Sequence, residues 1–485
     1  MSPVKRVICI LSGLLLLAGA GWAQEPKPSE PAPPAPAPAS PQVPLYDTVS
    51  QQQVDVSKLT PDDRPLTGAQ SLTLGVFEGA PNYLIPSLHF GQSFDSNPAV
   101  RAGSDPGYQG VSVISGGLKL QRRSRKSELL LKYEGGGTFY TGDNQNFGLA
   151  RRDYTYHQMG ISQSVSVGRW SVLLADEVSY SPESVLGYGG AGYGGGGFSS
   201  LFSSLSGVGG NSLIGLNSGL LPNQSILTQH TSRVGNSVVG QLQYNLSRRT
   251  AVTFSGSYGI LRFPDGTLLD NNQILASAGF NRILSARDSI GIQYSYSLFQ
   301  YETGNNLEAH AANLVYARRM TGRLSLRLSA GGQIYRFSLL PQLGTKPSWN
   351  AGAGLQYRMG RTDLSLNYYH SLTSGSGIFF GSRSDVVTAG LGRSLSRNWS
   401  TAFSFGYSHN SGLQNALYPA NGRAYDSVYG GVTVHRNIGR YTGIFFSYNA
   451  QQQTGVVPCP GCGNELLRHV FGFGFDWTHR PIRLD

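Results

Sequence analysis

Few stretches of this 485-residue sequence place reactive side chains at a spacing that chemistry uses. His409-Asn410-Ser411 sets an imidazole two residues from a hydroxyl, and Tyr369-His370-Ser371 repeats the pairing one residue apart. A histidine beside a serine can act as general base for nucleophilic attack on an ester. Polar residues at loop starts produce such pairs often, so these two weigh little by themselves. Cys459-Pro460-Gly461-Cys462 supplies two thiols. A structural zinc site needs four ligands, and thioredoxin-like exchange needs a helical setting that is missing here. In an oxidising compartment Cys459 and Cys462 are expected to form a local disulfide. The run Gly187-Tyr188-Gly189-Gly190-Ala191-Gly192-Tyr193-Gly194-Gly195-Gly196-Gly197 is not followed by a helix that could offer N–H groups to phosphate. No catalytic residue, metal site or cofactor is expected.

What remains is the scaffold, and its composition is unusual. Glycine accounts for 64 residues, tyrosine for 26 and phenylalanine for 21, while charged residues make up 13%. That is about half the share of a soluble domain. Of 38 cationic residues 31 are arginine. So little Lys and Glu argues against a helical enzyme or a coiled coil. A hydrophobic fraction of 39% and a mean hydropathy of −0.19 exclude a helical membrane bundle. The surplus of +11 points to no nucleic-acid partner, because the basic residues are dispersed among aromatic strands.

The N-terminus sets the compartment. Lys5 and Arg6 precede the apolar run Val7 to Leu17, and Gly21-Trp22-Ala23 supplies small residues before Gln24. This is the pattern of a secretory signal peptide over residues 1–23, whose removal lowers the formal charge to +9. Residues 24–44 form a Pro-rich linker, with nine prolines between Pro26 and Pro44, which favours an extended spacer. Residues 45–81 read as a periplasmic connector. Beyond Gln24 no apolar stretch approaches the roughly 18 residues of a helical span. Any membrane crossing must be made by strands.

From Asn82 the pattern has a period of two. Val252, Phe254, Gly256, Tyr258 and Ile260 alternate with Thr253, Ser255, Ser257 and Gly259. Ile290 to Leu298, Leu324 to Ala330, Trp399 to Tyr407 and Phe471 to Trp477 repeat the alternation. Helical spacings of three and four are not met. Short arginine turns recur at Arg249, Arg287, Arg323, Arg361, Arg397 and Arg440, at intervals of 38, 36, 38, 36 and 43. Ser124 to Ser127 and Gly168-Arg169 fit the same role upstream. Eight turns join nine hairpins and so predict eighteen strands over residues 82–478, with sixteen as the alternative count and 479–485 as a tail. A propeller of similar repeat needs four strands per blade, and each repeat here has room for two.

The fold class expected is therefore all-β, a transmembrane up-and-down antiparallel barrel. An open edge in hydrocarbon strands backbone N–H and C=O groups, at several kcal/mol each, and closure removes the edges. The apolar parity then faces lipid and the Ser/Gly/Gln parity a wet lumen. An even strand count returns both chain ends to the periplasm. Tyr140, Tyr154, Tyr156, Tyr369, Tyr407 and Tyr429, near strand ends, are expected in interfacial girdles. By parity the pore-lining candidates are Lys132, Glu134, Gln241, Gln243, Gln293, Arg327, Asn367 and Arg468, read as a generic polar lining. The insertion Ser181 to Thr231, the third outward loop, has Glu183 as its only charge and is expected to be a neutral, flexible loop lying over the mouth or simply disordered.

On these residues the chain resembles a Gram-negative outer-membrane β-barrel of the porin type. The phrases Tyr244-Asn245-Leu246-Ser247-Arg248-Arg249-Thr250, Tyr357-Arg358-Met359-Gly360-Arg361-Thr362 and Ser394-Leu395-Ser396-Arg397-Asn398 are similar to those of poorly characterised porin-like barrels, some of which accompany exopolysaccharide export. The resemblance implies a cell outer membrane location, with neighbouring lipid and lipopolysaccharide, insertion by the barrel-assembly machinery and passive passage of small hydrophilic solutes. Polysaccharide-export proteins and a homo-oligomer are further partners it suggests. A role in exopolysaccharide export is one alternative function. The other is lipid or ester hydrolysis, since His409-Asn410-Ser411 resembles the His-x-Ser arrangement of outer-membrane phospholipase A. Asp47-Thr48-Val49-Ser50 resembles a TonB box, but 37 residues before the barrel are too few for a folded plug.

Overall fold

The computed structural model describes residues 82–96, 108–124, 126–141, 153–181, 233–264, 266, 268–321, 323–339, 344–375, 379–413, 424–455 and 465–484, with Leu59–Thr60 and Thr73–Leu74. The expected signal peptide, the Pro-rich linker, most of the connector, nearly all of the 181–231 insertion and the Cys459/Cys462 pair lie outside the described residues.

Eighteen antiparallel strands of 12 to 15 residues follow one another round a closed barrel. They are β1 (Asn82–Asp95), β2 (Gln109–Arg123), β3 (Ser127–Thr141), β4 (Tyr154–Val167), β5 (Trp170–Ser181) and β6 (Arg233–Ser247). Then come β7 (Thr250–Arg262), β8 (Asn271–Ile283), β9 (Asp288–Tyr301), β10 (Leu307–Arg319), β11 (Leu324–Phe337) and β12 (Lys346–Met359). The last six are β13 (Thr362–Thr373), β14 (Ser382–Ser394), β15 (Trp399–Gly412), β16 (Ala424–Asn437), β17 (Thr442–Gly455) and β18 (Glu465–Thr478). Each strand pairs with its sequence neighbour, and β18 pairs with β1 from Val470↔Asp95 to Thr478↔Ser87. The count of eighteen and the eight short turns follow the sequence pattern. Within the connector, Leu59–Thr60 pairs with Thr73–Leu74.

One end of the barrel carries connections of two to four residues and the other carries longer ones. The repeated phrases of the short turns have a local cause. In three turns a hydroxyl accepts two successive backbone N–H bonds: Ser285 from Arg287 and Asp288, Thr321 from Arg323 and Leu324, Ser396 from Asn398 and Trp399. Such side-chain mimicry of a backbone turn suits Ser and Thr. The turns are then stitched together, because the carbonyls of Arg169, Arg249, Arg287 and Arg361 each accept an N–H from the end of the next hairpin, at 2.7–2.9 Å.

Alternation sorts the side chains. Ile292 is 63% exposed and Leu88 57%, whereas Ser93, Gln273 and Ser427 on the opposite parity are 1% exposed or less. The exposed large apolar residues thus face out and most of the buried polar residues face in, with apolar patches also on the inner face, so the exterior is the reverse of a soluble barrel's. Inward polar groups bond one another: the Ser255 and Ser277 hydroxyls meet at 2.6 Å, and Ser384 donates to Asn410 at 2.7 Å.

One expectation needs correction. Of the six tyrosines assigned to girdles, only Tyr407 is on the outward parity. Tyr156 (4% exposed) and Tyr429 (5%) are buried on the inner face, Tyr369 takes the inward parity, and Tyr140 and Tyr154 pack with Tyr156 on Val111 and Val113. Position near a strand end does not decide the face; parity does.

Candidate functional site: the lumen and its mouth

All eight lumen candidates occupy the inward parity of their strands. Lys132 and Glu134 stand on β3, Gln241 and Gln243 on β6, Gln293 on β9, Arg327 on β11, Asn367 on β13 and Arg468 on β18. They do not form a single cluster. Arg327 and Asn367 flank Gly354 in one row across three strands, and a side chain at Gly354 would come within 3.2 Å of the Asn367 carbonyl oxygen. Glu134 lies beside Gln158, whose amide donates to Glu177 at 2.9 Å. Gln243 donates to Asn245 at 3.1 Å.

Arg468 has a different task. Its Nε donates to both oxygens of Asp95 at 3.0 Å, with Arg468 3% and Asp95 0% exposed. Asp95 is on β1 and Arg468 on β18, so the pair bolts the seam where the barrel closes. Further along the same seam His89 Nδ1 contacts Asp476, and the His89 ring stacks on Phe445 at 5.1 Å. Below it the chain end adds Ile482 and Arg483 opposite Leu84 and Tyr83, so the expected tail continues the seam.

At the long-loop mouth the described residues of one hairpin tip pack on the inner wall. Between β13 and β14 the chain folds inward and brings two adjacent phenylalanines to different parts of the wall. Phe380 packs edge-on against Tyr301 of β9 at 5.3 Å, and Phe379 stacks on Tyr425 of β16 at 6.0 Å. Phe379 is 0% exposed. The Tyr301 hydroxyl donates to the Ser374 carbonyl at 2.8 Å, four strands away. Around Phe380 gather Phe299, Leu307, Ala309, Tyr335 and Phe337 from inward parities, with Leu372 and Leu413.

Glycines permit the inward fold. Gly375 and Gly381 have φ of 77° and 86°, a region L side chains rarely adopt. A Cβ on Gly381 would lie 2.5 Å from Leu307 Cδ2, and one on Gly375 would lie 2.4 Å from the Phe379 carbonyl oxygen. Sequence reasoning missed this tip and looked to the 181–231 insertion instead. The available signal was Phe379-Phe380 set between Gly375, Gly377 and Gly381 in a loop with no other reason to be aromatic.

The outer face carries its own pattern. Toward the short turns Trp170, Trp399 and Trp477 point outward, with Trp170 on Tyr244 at 4.4 Å. Toward the long loops five outward histidines are tied to neighbours. Tyr133, Tyr294 and Tyr448 meet His157, His310 and His469 at 3.0, 2.7 and 2.9 Å. His370 and His409 bond Asp385 and Asp426 at 2.7 and 2.9 Å. Ser411 shares the outward face with His409, but its hydroxyl is directed at the Arg383 carbonyl at 3.5 Å. His370 makes the equivalent carboxylate contact with Leu372 in the place of Ser411. Ser371, its partner in the sequence, takes the inward parity. The His–Asp pairs are therefore a repeated wall feature, which removes the special character of the His409/Ser411 spacing.

No family model matches the sequence, and no curated protein matches it. Solved structures with similarity to the chain include OpdK of Pseudomonas aeruginosa with vanillate (11% identity, TM-score 0.40, 82% of this chain and 99% of that one). OccK2 (OpdF) of Pseudomonas aeruginosa in complex with glucuronate matches at 10% identity and a TM-score of 0.39, over 83% and 100%. A BenF-like porin of Pseudomonas fluorescens Pf-5 matches at 10% and 0.39, over 84% and 100%.

Proposed function

We propose that this protein is an outer-membrane pore for small hydrophilic solutes, narrowed at its external mouth by the β13–β14 hairpin tip. The observation that carries the reading is the inverted polarity of a closed eighteen-strand barrel. Its exposed large side chains on the outward parity are apolar, while its inward parity carries most of the Ser, Thr, Asn and Gln, a few charges, and local apolar patches such as the one around Phe380. Only hydrocarbon makes such an outside favourable, and strands of 12 to 15 residues exceed the 9–11 or so that cross a bilayer. The tryptophans near the short turns and the Tyr–His pairs near the long loops suit the two interfaces. The short turns then face the periplasm and the long loops the exterior.

A barrel of about 16–18 strands encloses an aqueous channel unless something fills it. Passage runs along the part-exposed Lys132, Glu134, Arg327 and Asn367, while Gln241, Gln243 and Gln293 are buried on the inner face and Arg468 serves closure. Lipid and lipopolysaccharide are the neighbours, and the barrel-assembly machinery the route of insertion. The test is planar-bilayer recording on folded protein. Discrete conductance steps are expected, and reversing the charge with Arg327→Glu should lower the preference for anions over cations. Heat-modifiable, folded protein that conducts nothing would contradict the reading.

A further inference from the structure

The periplasmic rim carries cations in a pattern that solvated turns do not require. On five strands that run down to it, the penultimate residue is an arginine of outward parity: Arg122, Arg282, Arg318, Arg393 and Arg436. Some are already engaged. Arg318 lies 3.7 Å from Asp288, and the Arg436 guanidinium sits 5.1 Å above the Trp399 ring. Arg282 is different. It lines a cavity of about 490 Å3 with Arg248 and Arg249 of the next turn, and no carboxylate lines it.

The other walls are amphipathic. Ser247 and Thr250 supply hydroxyls, while Leu284 supplies apolar surface and is 52% exposed. Leu246, 46% exposed, stands just before the turn, beside the register shift between Asn245 and Ser247. Bulges of this kind re-aim side chains. The turn that lines the cavity is fixed by Ile283 N–H donating to the Arg249 carbonyl at 2.7 Å and Arg249 N–H donating to the Ser247 hydroxyl at 3.2 Å. A cavity lined by three arginines at the short-turn edge of the barrel, one of them on the outward parity, next to exposed leucines, matches a phosphate attached to an acyl glycerol. A free anion would need no leucines. Guanidinium groups suit phosphate oxygens because their N–H fork can donate twice.

We propose that the Arg248–Arg249–Arg282 cavity binds the phosphate of an anionic glycerophospholipid in the periplasmic leaflet of the outer membrane. The proposal rests on the membrane reading above. Its test is native mass spectrometry of the full barrel released from micelles doped with phosphatidylglycerol, with phosphatidylcholine, or with inorganic phosphate alone. Wild type should retain phosphatidylglycerol in preference to phosphatidylcholine and show no phosphate adduct. A variant carrying Arg248→Gln, Arg249→Gln and Arg282→Gln should retain on the order of a hundredfold less, since each basic residue near an anionic surface contributes roughly fivefold to binding. Arg262→Gln at the opposite rim should leave retention unchanged. Equal retention by wild type and the triple variant would overturn the proposal, as would equal retention of the two lipids. A phosphate adduct as abundant as the lipid's would reassign the cavity to free anions and also overturn it. Heat-modifiability on gels checks folding, and if the triple variant does not fold, single Arg282→Gln must lower retention. Channel conductance measured in parallel separates the outcomes, because a wild type that conducts but shows no preference for phosphatidylglycerol refutes this site and leaves the pore standing.

Discussion

At the scale of single residues, the most consequential contact is the one between Asp95 and Arg468, which are 373 positions apart. Both are buried at the point of closure, so removing one leaves a buried charge without this ion-pair partner. Breaking a buried pair in this way costs about 3–5 kcal/mol. Arg468→Ala should therefore lower the unfolding midpoint in urea markedly, and the double variant with Asp95→Ala should recover part of the loss. A single variant as stable as wild type would show that the pair is dispensable. Ser411 makes the opposite prediction. With its hydroxyl on a backbone carbonyl, and with Ser371 beside the second histidine–carboxylate pair turned to the other face, Ser411→Ala should leave ester hydrolysis at background. Any activity that this change abolished would restore the hydrolase reading. Arg468 also marks a limit of sequence reading: parity correctly placed it inside, but a partner on the first strand is invisible to a local pattern.

The elements were largely legible because their causes are local. Alternation specifies a strand, and a hydroxyl three positions before the first residue after a turn specifies that turn, so the phrases around Arg287, Arg323 and Arg397 predicted structure directly. The face of each tyrosine needed parity as well as position, which is why Tyr140, Tyr154, Tyr156, Tyr369 and Tyr429 were misassigned. The hairpin tip at Phe379 and Phe380 was not legible as a constriction, since its partners Tyr301 and Tyr425 come from distant strands. Its geometry yields two expectations. Phe380→Ala should cost about 3–5 kcal/mol if the wall cannot collapse onto the gap, and it should raise single-channel conductance. Gly381→Ala forces a side chain into Leu307 at a positive φ. It should expel the tip and raise conductance without removing an aromatic. Unchanged conductance in both variants would mean that the tip does not limit flow.

For the whole molecule the deciding quantity is the match between surface and surroundings. In hydrocarbon each unpaired backbone group costs several kcal/mol, so closing β18 on β1 is a condition of stability rather than a detail. Purified protein should accordingly need detergent, run faster on gels before boiling than after, and lose that difference when the seam pair is broken. The same match is tested residue by residue by spin labels placed singly along β9 from Ser289 to Leu298, in a background with Cys459 and Cys462 replaced by serine. Ile290, Ile292, Tyr294, Tyr296 and Leu298 should be accessible to oxygen dissolved in the bilayer, and Gly291, Gln293, Ser295 and Ser297 shielded from it. The opposite phase, or no alternation, would contradict an apolar exterior in lipid around a polar lumen.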